Sequence, residues 1–453
     1  MNRTSIAVAL GLALFSATGA MAQPDSSRQA PAAATRTLSL DSAIQMGLRN
    51  SKTLKRSQFK IDQAMNRVDQ AKDAYLPSAK LSFQYLHALM LTQTVNLPGI
   101  TAADKPLKLP FDFPAYLGTL AVSEPVFAGN QLKYARQSAN LLVQASRLDA
   151  DKDREDITWV IISSYLNYNK ILQNQLIVEQ NMEDVQGKLD QITKYEGQGL
   201  ATQNDVLRFQ LQKSQIQLTR IELEDNRKIA NYNLNILLGL PDSTEIKLPA
   251  VAYRLDEHPA FVDFVQQAET NRRELQDLDY QQKLADINVR KIQDQRLPTV
   301  TANMGMYYIN PTGKPIPTDH TVLAPLTLGI GASWDIASLY TNKNKVKEAS
   351  IQRQSLTNDK DDALDEIRKE VHQSYIGYLQ SLERIKVLQD AVTQAQENER
   401  IMESKFRNNL VNTTDRIDAQ TLLYQARVNL ELAKSDATIA YYSLLRSTGH
   451  IQP

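Results

Sequence analysis

The chain contains no cysteine. Disulfide staples, thiolate metal centres and a lipid-bearing Cys at a processing site are therefore excluded, and packing alone must hold the fold. Net charge is missing as well: Lys plus Arg and Asp plus Glu number 51 each, so no overall field favours a polyanion and no nucleic-acid partner is expected. Beyond the N-terminus there is no apolar run long enough to cross a bilayer as a helix, so any crossing must use strands closed into a barrel. Glycine and proline are scarce, 16 and 17 in 453 residues, and Gln, Asn, Leu, Ala, Lys and Asp crowd long stretches, a composition that suits long helices.

Catalytic chemistry has no visible seat. His87, His258, His320, His372 and His450 lie far apart, and none has a metal-type companion at short spacing. No phosphate loop, nucleophile elbow or paired-histidine metal motif occurs, so no enzyme activity, cofactor or bound metal is expected. The first residues do carry a signal. Met1, Asn2 and Arg3 precede an uncharged apolar run over 5–15, then Gly19-Ala20-Met21-Ala22 before Gln23. This is the pattern of a secretory signal peptide over 1–22, cleaved after Ala22.

The chain is written twice. One constant offset matches without a gap from Ala139/Ala349 to Gly239/Gly449, through Ser164/Ser374, Tyr165/Tyr375, Tyr168/Tyr378, Leu200/Leu410 and Asp205/Asp415. An earlier block matches at a slightly larger offset, with Asn50/Asn271, Leu54/Leu275, Val68/Val289, Leu76/Leu297 and Pro77/Pro298. The difference between the two offsets must sit between the blocks, in the connection of the first half, since loops absorb such length changes. The expected organisation is an N-terminal linker over 23–37, a first repeat over 38–240, a linker over 241–259, a second repeat over 260–449 and a tail over 450–453.

Each repeat reads as helix, two strands, long helix, helix. The first helices are expected over 40–75, capped by Ser39 or Asp41, and over 260–296, both stopped by Leu-Pro. Apolar residues then alternate at Val300, Ala302, Met304, Met306 and Tyr308, and again at Leu326, Leu328, Ile330, Ala332 and Trp334. Period two means strands with one apolar face. Weaker first-half versions fall at 79–86 and 116–123. Four strands cannot close a membrane barrel, whose minimum is about eight, and pooling three chains gives twelve and room for a lumen. A soluble sandwich would show the same alternation. Tyr85, Tyr116, Tyr307, Tyr308 and Trp334 suit interfacial girdles or ordinary packing equally.

Residues 132–195 contain no proline and make a rod of about 90 Å if helical. Met182, Val185, Leu189 and Ile192 step by three and four along it. Leu423, Ala426, Leu430, Ala433, Ala437, Ala440 and Leu444 keep a coiled-coil seam in the returning helix.

The duplicated order, with Glu124-Pro125-Val126-Phe127 leading into the long helix, Leu238-Gly239-Leu240-Pro241 ending the first half, and turns at 199–207 and 409–418, resembles the TolC-like outer-membrane efflux protein family over nearly the whole mature chain. The resemblance implies an α+β membrane protein, internally duplicated: a homotrimer with a long α-helical coiled-coil barrel in the periplasm and a trans-subunit 12-stranded β-barrel, four strands per chain, in outer-membrane lipid. It also implies a passive exit duct joined by a periplasmic adaptor to an inner-membrane pump. The two turns would form the tip farthest from the membrane. Asp415 and Asp418 match aspartates that ring the family's periplasmic aperture, with Asp205 nearby. Gly199, Leu200, Thr202, Asn409, Leu410 and Thr413 would dock the adaptor. Asp205 and Asp415 also suit plain helix caps. Phe406 and Val411 stand where the family can place tyrosine and basic ties, so a closed tip would rest on packing and the aspartate ring. The rivals are a periplasmic coiled-coil scaffold or adaptor and a porin with helical extensions.

Overall fold

The computed structural model describes residues 35–89, 93–95, 107–109, 112–249, 260–311, 324–408, 410–449 and 451. The signal segment, nearly all of the N-terminal linker, Asn409, His258, His320 and most of the C-terminal tail lie outside them. In chain order the elements are β1 (Thr35–Thr37), α1 (Leu40–Asn50), α2 (Lys52–Asp73), β2 (Ser78–Leu89), β3 (Gln93–Val95), β4 (Leu107–Leu109) and β5 (Asp112–Ala128), followed by α3 (Gln131–Gly197) and α4 (Gln203–Leu238). The second half holds β6 (Glu245–Lys247), α5 (Phe261–Asn271), α6 (Arg273–Gln293), β7 (Thr299–Pro311), β8 (Leu326–Ser333), α7 (Ser338–Arg407) and α8 (Thr413–Ser447). With 67 and 70 residues, α3 and α7 each run about 100 Å.

The single first helix expected in each half is in fact two. Ser51 (φ −61°, ψ 118°) separates α1 from α2, and Arg272 (φ −63°, ψ 125°), its counterpart in the second half, separates α5 from α6. The apolar periodicity runs straight through both breaks, although Ser51 marks the first by capping α2, its Oγ accepting from Leu54 N–H at 3.2 Å. Each break meets the end of its returning helix. Asn50 Nδ2 donates to Leu238 O at 2.6 Å, and Gly239 (φ +70°) lies so close to Asn50 that a Cβ would sit 2.7 Å from that side chain. Gly449 (φ +72°) lies against the backbone of Asn271 in the same way. Glycine is required twice over, by the left-handed backbone and by the close approach.

The four long strands form one antiparallel sheet in the order β2-β5-β7-β8, leaving β2 and β8 as open edges. Its register sorts the side chains by face. One face carries the rows Leu81–Leu120–Met306–Leu326, Ala79–Val122–Met304–Leu328 and Phe83–Gly118–Tyr308. The other carries Ser78–Ser123–Asn303–Gly329, Lys80–Ala121–Gly305–Thr327 and Ser82–Thr119–Tyr307. The apolar face is bare in the protomer: Leu328 is 75% and Ile330 80% exposed. From the row of Glu124 to that of Tyr116 this face spans about 27 Å along the strand, or about 21 Å of height at a tilt of about 40°, comparable to the band of about 25 Å that barrels present to lipid.

Glu124-Pro125-Val126-Phe127 belongs to β5 and not to the lead-in of the long helix. The register shifts between Pro125 and Phe127, where proline offers no N–H to the ladder, and the chain turns into α3 only through Gly129 and Asn130, both with positive φ. Two small pairings escaped the sequence. β3 and β4 form a short antiparallel pair within the first-half connection. β1 and β6, in segments expected to be linkers, pair in parallel. Tyr165 donates its hydroxyl to Leu38 O at 2.9 Å and Tyr168 to Ile246 O at 3.0 Å, so two buried tyrosines of α3 fasten this pair. Burial pushes the Tyr165 phenol up to about 12. Here lies the largest core cluster, with Ile161, Ile162, Leu234 and Leu238. Phe264, Val371, Tyr378 and Leu444 make its second-half counterpart.

Candidate functional site at the helical tip

Both long hairpins turn back by the same backbone device. Leu200 N–H donates to Tyr195 O at 2.8 Å, and Leu410 N–H to Lys405 O at 2.9 Å, equivalent bonds in the two repeats. Gly199 supplies φ +75° in the first turn. The returning helices open on reciprocal capping boxes. Thr202 Oγ1 accepts from Asp205 N–H at 3.2 Å while Asp205 Oδ2 accepts from Thr202 N–H at 2.9 Å. Asn412 Oδ1 accepts from Asp415 N–H at 2.9 Å, and Asp415 Oδ2 accepts from Asn412 N–H at 3.4 Å. Neither aspartate is the cap itself. Each is the third helical residue, reaching back to a Thr or Asn cap.

The aspartates then part ways. Asp205 is half-buried; partial burial works against its charge, but hydrogen bonds from Thr413 and Thr202 hold its carboxyl below the usual range. The Thr413 bond ties the first-half tip to the second, replacing the tie that Phe406 cannot make. Thr413 is 5% exposed, so it supports the tip from inside and offers no docking surface. Asp415 and Asp418 stay exposed, one turn apart at the start of α8. Gly199, Leu200, Thr202 and Leu410 are exposed at the turns.

Between Asp415 and Asp418 the helix turns Arg416 inward, where it is 2% exposed. Its Nη2 meets Glu403 of α7 at 2.5 Å and Gln191 of α3 at 3.2 Å. Its guanidinium lies 4.5 Å from the Phe406 ring centroid and 5.9 Å from that of Phe209. Burial lowers the pKa of the guanidinium, and Glu403 offsets part of that effect. Leu189, Ile192, Val206 and Phe209 pack around this centre. One residue thus touches all four long helices. Sequence reasoning passed over it because a charge beside an aspartate reads as solvated surface; its place in the inward three-and-four spacing of α8 was the available signal. Higher up, Lys188 of α3 meets Glu399 of α7 at 2.7 Å.

A duplicated chain with an open, apolar-faced sheet at one end and paired helical turns at the other has the build of a channel protomer. Residues 264–450 match the family model for Outer membrane efflux protein. No curated protein matches its sequence. Solved structures share its fold over nearly the full length. The outer membrane protein VceC from Vibrio cholerae is 15% identical, with TM-score 0.70 over 91% of this chain and 96% of that one. CusC, described for transmembrane channel formation, is 15% identical with TM-score 0.72 over 90% and 92%. The outer-membrane channel OprN is 14% identical with TM-score 0.70 over 91% and 90%.

Proposed function

We propose that three copies of this chain close one twelve-stranded barrel in the outer membrane and continue as a helical tunnel through the periplasm. The protein is an outer-membrane exit duct, and its work is passive: a pump in the inner membrane, joined through a periplasmic adaptor, drives efflux or type I secretion. The observation that carries this reading is the bare apolar face of a four-stranded sheet with two open edges. In water such a sheet would aggregate, whereas lipid covers the face and neighbouring copies satisfy the edges. A periplasmic scaffold would leave both exposed. Among the described residues no helix is long and apolar enough to cross a membrane.

At the other end, three copies would set Asp415 and Asp418 around one axis, a carboxylate ring that repels anions and attracts cations. Asp205 supports this aperture from the first-half turn. Gly199, Leu200, Thr202 and Leu410 give the adaptor its footing, together with Asn409, outside the described residues, and with Thr413 holding the turn in shape. Single-channel recording in planar bilayers tests the reading. A small cation-preferring conductance, blocked by divalent cation on the tip side and released by Asp415→Asn with Asp418→Asn, is expected. Conductance and block unchanged in that variant would remove the aspartates from the aperture, and failure of the chain to insert at all would remove the duct.

A further inference from the structure

The apolar face does not stop where β8 ends. Trp334 continues it beyond Ser333, and Ile336, Leu339 and Tyr340 carry exposed apolar surface into the first turn of α7, with Tyr340 73% exposed. Lys343 and Lys347 follow Tyr340 at helical spacing and so share its side of the helix. Both are exposed, and neither has an ion pair among the described residues. Exposed Arg296 joins them, since Trp334 Nε1 donates to its carbonyl at 2.9 Å. Asp335 and Asp294, the carboxylates next to Trp334 and Arg296, are engaged in local hydrogen bonds, and exposed Glu124 lies farther up the sheet, at the row of Ile330. Asp335 accepts from Ala337 N–H at 3.1 Å, and Asp294 accepts from Asn130 and Tyr134 at 2.9 and 2.8 Å. With Lys345 and Glu348 added, the collar remains cationic.

We propose that this collar, Trp334 and Tyr340 with Arg296, Lys343 and Lys347, is a binding surface for anionic phospholipid headgroups in the periplasmic leaflet. The inference rests on the barrel placement above. An aromatic row closing an apolar band marks headgroup depth, and long cationic side chains one and two turns beyond it lay their stems on the apolar surface and bring their charge to the phosphates. Continuity with the apolar face selects a lipid over free phosphate: the cations are separated from solvent-filled space on one side by surface that only acyl chains would cover.

The chain has two tryptophans, Trp159 and Trp334, so Trp159→Phe leaves an intrinsic probe in the collar. The full-length variant is placed in phosphatidylcholine vesicles containing a minor share of either brominated phosphatidylglycerol or brominated phosphatidylcholine. At low salt the anionic lipid is expected to quench Trp334 about threefold more strongly, a preference lost in high salt and in Arg296→Gln/Lys343→Gln/Lys347→Gln. Equal quenching by the two lipids, in vesicles where the protein is inserted, overturns the proposal while leaving the duct intact. No quenching even in vesicles made wholly of brominated phosphatidylcholine overturns the barrel placement itself, and the collar with it.

Discussion

Val206 and Arg416 occupy the same place in the two repeats, on the first turn of the returning helix, and both are buried, at 5% and 2% exposure. Their partners differ to match. Thr193, the counterpart of Glu403, spends its hydroxyl on Leu189 O at 2.7 Å, whereas Glu403 takes the Arg416 guanidinium. One half closes its hairpin with an apolar contact, the other with a buried ion pair that also reaches α3. Duplication copied the backbone, and side chains then divided the labour. The first half holds the tip together, and the second both ties across it and presents Asp415 and Asp418.

Making the halves alike is the sharpest way to test that division. Arg416→Val should cost about 3 kcal/mol, because it strands a largely buried Glu403. Adding Glu403→Thr should recover most of the loss, since a buried pair replaced as a pair is nearly neutral. Hydrogen exchange at tip amides in the purified protein reads both; a double variant no better than the single would mean that the cross-tie to Gln191, not the stranded charge, sets the cost. Gly239→Ala and Gly449→Ala should each cost about 2 kcal/mol in thermal unfolding, from left-handed strain plus the contact with Asn50 or Asn271. Similar losses would show the two junctions to be one device used twice.

Thr413→Val should cost about 1 kcal/mol and change the acid response of the tip. The folded-state pKa of Asp205 is depressed from the ordinary 3.8, so its contribution is fully present above that value and lost as pH falls through the folded pKa. Without the Thr413 hydroxyl the folded value moves back toward 3.8, so this contribution shrinks and the tip loosens at a higher pH; a carboxyl-carbon titration of Asp205 checks the direction. The smallest effect is expected at the exposed pair between Asp156 and Arg446, which links the halves at 2.9 Å with 48% and 44% of the side chains exposed. Asp156→Asn should change melting by about 0.5 kcal/mol or less.

Much of this architecture was legible in residue order. Period-two alternation at 326–334 gave β8, the absence of proline gave α3, and the seam through Leu423, Ala433, Ala437 and Leu444 is buried as its spacing requires. The break at Ser51 had a local signal that the unbroken apolar periodicity masked, since Ser51 caps α2 by accepting from Leu54 N–H at 3.2 Å, whereas Arg272 makes no such cap and its break was not legible before Gly449 packed against Asn271. The β1–β6 pair was hidden for a related reason: three-residue strands carry too little pattern to read, and they exist because Tyr165 and Tyr168 reach them. At the tip, spacing fixed which aspartates begin each helix. It left open which one would be half-buried beside Thr413 and which exposed.

By itself the sequence determined whatever is periodic or repeated: the duplication, the long rods, the apolar-faced strands and the turns that double them back, because each follows from a local pattern that any neighbour must respect. Tertiary structure alone decided the inward turn of Arg416, the hydrogen bond from Thr413 to Asp205 and the break at Arg272 beneath Gly449. Each of these depends on which distant side chain arrives opposite, and burial sets its energy only once that neighbour is in place.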